Sequence, residues 1–208
     1  MNKFKQRGQE RGRFGAPRQR QFDRPKRAPL PEGFSLFYIA IACSPEIDGT
    51  IDQMKDHMEV TYGCRAAKRS PAHLTIVPPF RAEDEMIPQL NDFVESYNIG
   101  LVPFPVRLNG YDQFADRVLF VDVEKPNMPL SSLEQECMKE FTEKFPGIIF
   151  GMKPEFNPHV TIATRDIPEG AIAQARAYFE KEHPVDLQFE VKELTLYRLE
   201  QGWWKPLS

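Results

Sequence analysis

Two short stretches of the chain carry residues able to do chemistry. Ala72-His73-Leu74-Thr75-Ile76 is followed, 86 positions later, by Pro158-His159-Val160-Thr161-Ile162. Each stretch alternates polar and apolar residues with period two over a β-favouring run, so each predicts a strand. Residues i and i+2 of a strand share a face. His73 and Thr75 therefore face one way and Leu74 and Ile76 the other, and His159 and Thr161 are set in the same way against Val160 and Ile162. Imidazole titrates near neutrality, so one histidine can take a proton while its partner gives one. Threonine hydroxyls can donate hydrogen bonds to phosphate oxygens, where charge builds in a transition state. Acid and base on opposite sides of a phosphorus suit displacement at a phosphodiester; with an RNA 2′,3′-cyclic phosphate, one histidine would activate water and the other protonate the leaving ribose oxygen.

The weight lies in the doubling. One His-x-Thr strand is an ordinary surface feature, whereas two at equivalent places in a repeated pattern imply a shared cleft. The repeat is legible in the elements around them. A dense apolar run over 35–43 predicts a strand. Ile47, Ile51, Met54 and Met58 stripe a helix over about 46–61 that Gly63 ends. After the first His-Thr strand, Met86, Leu90, Phe93, Val94 and Tyr97 mark a second helix with Pro88 in its first turn, and Phe104, Val106 and Leu108 alternate as a strand. The second half gives a strand over 117–123, then a helix striped by Leu130, Leu133, Cys137, Phe141 and Phe145, with Ser131 and Glu134 at capping-box spacing. The second His-Thr strand follows, then a helix opened by Asp166, Pro168 and Glu169. Leu187, Phe189 and Val191 alternate, and a parity change before Leu194 and Leu196 predicts a bulge near Lys192-Glu193. The fold class read from this is α+β, a duplicated β-α-β-α-β.

Metal chemistry is the competing reading of two histidines. A zinc site needs three or four protein ligands, and neither motif brings a nearby Cys, Asp or third His. His57 and His183, in charged surroundings, read as surface histidines. No cofactor is called for.

Composition divides the chain. Residues 1–31 carry ten Lys/Arg against Glu10 and Asp23, a balance of +8, and the rest carries 17 basic against 28 acidic side chains, −11. The basic arm holds Arg7-Gly8 and Arg11-Gly12-Arg13-Phe14-Gly15 and almost no aliphatic residue, so it is expected to be disordered and to add affinity for RNA. Residues 32–208 would form the folded part. Three cysteines without close spacing (Cys43, Cys64 and Cys137) indicate neither a disulfide framework nor a zinc knuckle. With no membrane-length apolar run and no apolar leader, a cytoplasmic, membrane-free monomer is expected.

Pro-Ala-His73-Leu-Thr75-Ile and Asn-Pro-His159-Val-Thr161-Ile resemble the doubled motif of the two-histidine phosphoesterase superfamily, which includes 2′-5′ RNA ligases and RNA 2′,3′-cyclic phosphodiesterases. The resemblance covers about residues 34–207 and extends to Leu194-Thr-Leu-Tyr197-Arg198. It implies a bilobal fold with two antiparallel sheets flanking a central cleft, the motifs on the central strands, and metal-independent chemistry. By motif match, His73 and His159 would be the acid/base pair and Thr75 and Thr161 the phosphate ligands, with either histidine as the base. Phe80, Arg165 and Tyr197 are further candidates for substrate contact, and one of Trp203 and Trp204 is expected to face outward. The substrate would be RNA or a nucleotide. A non-catalytic RNA-end-binding protein using the same cleft and the basic arm is the alternative of a different class.

Overall fold

In a computed structural model, residues 29–150 and 155–207 are described, and the basic arm expected over 1–31 falls almost wholly outside them. The first half runs β1 (Phe34–Ala42), α1 (Pro45–Tyr62), a 3-10 turn (Ala66–Arg69), β2 (His73–Glu83), α2 (Ile87–Gly100) and β3 (Phe104–Phe114). The second runs β4 (Val118–Val123), α3 (Met128–Lys144), β5 (His159–Thr164), α4 (Ala171–Glu182) and β6 (Asp186–Val191), and β7 (Thr195–Glu200) and β8 (Trp203–Leu207) close the chain. This is the β-α-β-α-β order twice, with a histidine opening both β2 and β5.

The helix ends have local causes. Ser44 accepts a hydrogen bond from the Ile47 N–H, Pro45 starts α1, and Gly63 ends it in the left-handed region at φ 75°. α3 begins earlier than the Ser131/Glu134 spacing predicts. Asn127 is its cap, accepting from the Leu130 N–H at 3.0 Å, while Ser131 Oγ donates to the Asn127 carbonyl. Asp166 does not cap α4 either. That helix starts at Ala171 after Gly170, and the carboxylate of Asp166 is engaged elsewhere.

Two antiparallel four-stranded sheets form, in the orders β2-β1-β7-β8 and β5-β4-β3-β6. The lobes are therefore not the sequence halves. β3 makes a hairpin with β4 through the turn at 115–117, and this short connection draws it into the second sheet. The vacant place beside β1 is taken by β7. The expected bulge near Lys192-Glu193 is a crossing instead: β6 ends at Val191 in one sheet and β7 begins at Thr195 in the other. Asn98 on α2 grips the crossing, its Nδ2 donating to the Leu194 carbonyl at 3.0 Å and its Oδ1 accepting from the Leu194 N–H at 2.7 Å. A true bulge lies in β3, where the register shifts between Leu108 and Tyr111 and Gly110 takes φ 72°. It keeps both Leu108 and Tyr111 in the core.

β2 and β5 are terminal strands of their sheets rather than central ones, and it is at these two edges that the sheets meet. Helices are exchanged across the junction, α1 packing against β5 and α3 against β2. One continuous apolar core results, holding Leu74 and Ile76 of β2 together with Val160 and Ile162 of β5. Each of these four side chains is at most 1% exposed, and burial of such a residue stabilises the fold by about 1.5–3 kcal/mol. The inward half of each motif thus fixes the outward half.

Candidate active site

His73, Thr75, His159 and Thr161 alternate, half-buried, with the buried residues of their strands. Cross-strand partners share a face: His73 lies opposite Ala42 and Thr75 opposite Ala40, and in the other sheet His159 lies opposite Asp122 and Thr161 opposite Phe120. Above β1 the small Ala40 lies in a cluster with Tyr38 and Tyr197, whereas above β4 the partners are Phe120 and Asp122. The two halves of the cleft are therefore lined differently.

The imidazoles are oriented alike. His73 Nδ1 donates to the Pro71 carbonyl at 2.8 Å and His159 Nδ1 to the Asn157 carbonyl at 2.7 Å. A carbonyl oxygen only accepts, so Nδ1 carries the proton in both rings and Nε2 is left to accept one. The backbone before each strand is pinned in turn. The Ala72 N–H donates to Asp48 at 2.6 Å, and Lys125 Nζ donates to the Asn157 side chain at 2.5 Å.

Their surroundings differ. His73 stacks on Tyr38 at 4.8 Å, Tyr38 stacks on Tyr197 at 4.7 Å, and Trp204 meets Tyr38 edge-on at 4.6 Å. The Tyr38 hydroxyl lies 2.8 Å from Ser70 Oγ, itself 3.3 Å from His73 Nδ1. Burial lowers the His73 imidazole to about 4, the Pro71 carbonyl opposing, while the charges of Lys55 and His159 push it further down. Lys55 is a buried lysine of α1, held by Asp52 and the Ser70 carbonyl at 2.9 Å each. His159 packs against Phe120 at 4.7 Å and Phe114 at 5.0 Å. Burial lowers it too, but the Asn157 carbonyl and the Asp122 carboxylate work to raise it, against Lys125. Burial disfavours a proton on both imidazoles, and only the second has a carboxylate that offsets part of that effect.

The softer candidates separate. Phe80 is 1% exposed and packs on Phe141 at 4.9 Å, so its ring is core and has no face to offer a base. Tyr197 is buried but belongs to the aromatic cluster against His73, 6.2 Å between ring centres. Arg165 comes directly after β5 with φ 71°, a left-handed conformation rare for a non-glycine residue. Trp203 is 53% exposed, while Trp204 packs inward. His57 and His183 gather round Tyr178 at the surface, the half-buried His57 ring stacked on it at 4.2 Å and His183 exposed. Among the described residues no group of three or more His, Cys, Asp or Glu is placed to hold a metal, and no helix is long and apolar enough to cross a membrane.

Tyr38, Ser70 and Asp122 join the site unannounced by the motif. In β1 both faces are apolar, so periodicity conceals which residues look into the cleft. Ser70 and Asp122 reach the histidines only through strand pairing and a turn.

The loop that carries Arg165 is anchored by its neighbour Asp166. The Asp166 carboxylate accepts from the backbone N–H groups of Arg65 and Ala66, at 2.7 and 3.0 Å, tying the loop after β5 to the turn before β2. Asp166→Ala leaves those donors to water and is expected to lower stability by about 1 kcal/mol, read as a lower midpoint in urea unfolding. An unchanged midpoint would mean that this latch contributes nothing.

Residues 43–203 match the family model described as the 2′-5′ RNA ligase superfamily. A Geobacillus kaustophilus (strain HTA426) protein named "Putative phosphoesterase" is 28% identical over 141 residues, 64% of this chain and 74% of that protein. E. coli LigT in its crystal structure with 3′-AMP superposes with a TM-score of 0.61 at 20% identity, covering 84% of this chain and 96% of LigT. TT0787 of Thermus thermophilus gives 0.56 at 20% identity over 83% and 95% of the two chains. With the doubled motif set on facing strands and the family model spanning most of its length, the chain belongs to the 2′-5′ RNA ligase superfamily.

Proposed function

We propose that the chain hydrolyses 2′,3′-cyclic phosphodiesters of RNA or nucleotides, or works reversibly on 2′-5′ linkages, with His73 as general base and His159 as general acid. One observation carries the reading: two imidazoles on the meeting edges of two sheets, each with Nδ1 tied to the carbonyl two residues before it and, among the described residues, no hydrogen bond at Nε2.

In the hydrolytic direction, His73 Nε2 takes a proton from water as the water oxygen bonds to phosphorus. The bond from phosphorus to one ribose oxygen breaks, and that oxygen receives the proton from His159 Nε2. One water is consumed and a nucleoside monophosphate is left. The Thr75 and Thr161 hydroxyls donate to the two non-bridging oxygens. The surroundings support these roles, since burial and Lys55 disfavour a proton on His73, while at His159 the Asp122 carboxylate offsets part of the lowering by burial. LigT has been crystallised with 3′-AMP, with NADP+ and with ATP; a nucleotide in the same cleft here accords with this reading.

The test is turnover of nucleoside 2′,3′-cyclic monophosphates by the purified protein, with EDTA expected to leave the rate unchanged. The pH profile adds a sharper check. The active form has neutral His73 and protonated His159, so the rate traces a bell. In the free enzyme His73 gains its proton only near pH 4 and His159 loses its proton below 6.5, so kcat/KM should peak on the acid side of neutrality. The bound phosphate is an anion and holds a proton on His159, so the bell for kcat should lie at higher pH. A kcat/KM that rises steadily through pH 8 would remove His159 as the acid.

A further inference from the structure

Beside the motif cleft lies a second cavity of about 490 Å³, with Arg65, Lys68 and Arg69 on one wall and Trp203 with the β7–β8 turn on the other. Its charge stands out against the body's −11. Among the described residues, Glu59 is the one acidic residue lining it and is already engaged, 3.0 Å from Arg65 Nε and 2.5 Å from Lys68 Nζ, while Asp56 also holds Lys68 at 2.6 Å. Arg69 is exposed, and no carboxylate pairs with it among the described residues. Trp203 presents an exposed ring opposite these cations.

The cationic wall adjoins the His73 site, and the strand that carries Trp203 borders it, with Trp203 and Trp204 on opposite faces of β8. Arg69 precedes Ser70, whose Oγ lies 3.3 Å from His73 Nδ1. Trp203 precedes Trp204, which packs on Tyr38, the ring stacked on His73. A chain whose reacting phosphate sits at His73 would therefore pass into this cavity as it leaves the cleft. Cations that follow a phosphodiester backbone, facing an aromatic ring on which a base can stack, make a site for single-stranded nucleic acid.

We infer that this cavity is a subsite for the nucleotide adjoining the reacting one, with Arg69 on its phosphate and Trp203 against its base, so that an oligoribonucleotide end is held more tightly than a mononucleotide. The inference rests on the cleft reading, yet it is testable without turnover. Calorimetry on the full chain would compare a trinucleotide 3′-phosphate with a nucleoside 3′-monophosphate, for the parent protein and for Trp203→Leu and Arg69→Gln. Both side chains are exposed, so neither change threatens the fold.

Loss of one stacked base is worth on the order of 10-fold in affinity. Each variant should weaken the trinucleotide by about that factor, and the ratio of trinucleotide to mononucleotide affinity should fall with it. Arg69→Gln should also flatten the salt dependence of trinucleotide binding, by about 0.7 in the slope of log K against log salt. A ratio unmoved by Trp203→Leu overturns the subsite, because the cavity then either holds the reacting nucleotide itself or holds nothing. Selective loss of trinucleotide binding in a protein that turns over no cyclic phosphate would uphold the subsite and sink the enzymatic reading instead.

Discussion

His73→Ala and His159→Ala should each lower kcat/KM on a nucleoside 2′,3′-cyclic monophosphate by on the order of 10²–10⁴-fold, the span of a general acid or base. The double variant should cost little more than either single one, because the two residues act in one proton-transfer step. Stability should hardly suffer. Both rings are half-buried on the cleft side, and the anchoring of β2 and β5 comes from Leu74, Ile76, Val160 and Ile162 on the other. Each variant should also lose one limb of the pH bell. His73→Ala removes the limb on the acid side, near pH 4, and His159→Ala the one above it. Near-parental turnover by His159→Ala would leave the leaving oxygen without its proposed acid, and the two-histidine mechanism would fail.

The second large effect belongs to the threonines. Thr75→Val and Thr161→Val keep the β-branched shape that suits a strand and remove only the hydroxyl. If these hydroxyls meet the non-bridging oxygens as charge builds, each loss should lower kcat by ~10²–10³-fold, the effect of deleting one preorganised donor. The loss should fall on kcat more than on KM, because the interaction strengthens in the transition state. An effect confined to KM would place the hydroxyls on the ground-state phosphate alone.

The face shared by each His-Thr pair was legible in the chain because a strand's period of two is unforgiving. Once Leu74 and Ile76 must be inside, His73 and Thr75 must share the other face, and the same holds for His159 and Thr161. Helical stripes gave α1 to α4 to within a few residues, since apolar residues at 3.6 spacing need only a neighbouring sheet to be buried. The misassigned caps at Ser131 and Asp166 have a common cause. A capping side chain is chosen by whichever N–H groups are near in space. For Asp166 those belong to Arg65 and Ala66, 101 and 100 positions away.

Partnership between strands was beyond the sequence. The duplication by itself determined two equivalent β-α-β-α-β units and one His-Thr strand in each. Only the tertiary structure decided that β3 would join the second sheet, that β7 would replace it in the first, and that β2 and β5 would meet at their edges. Antiparallel pairing is made of backbone hydrogen bonds that every residue can offer, so side-chain pattern selects a face but not a neighbour. The same holds for the asymmetry of the histidines. Two near-identical motifs acquire different proton affinities from Lys55 and Tyr38 on one side and Asp122 and Lys125 on the other. Charge and desolvation act through space, over distances that no spacing along the chain records.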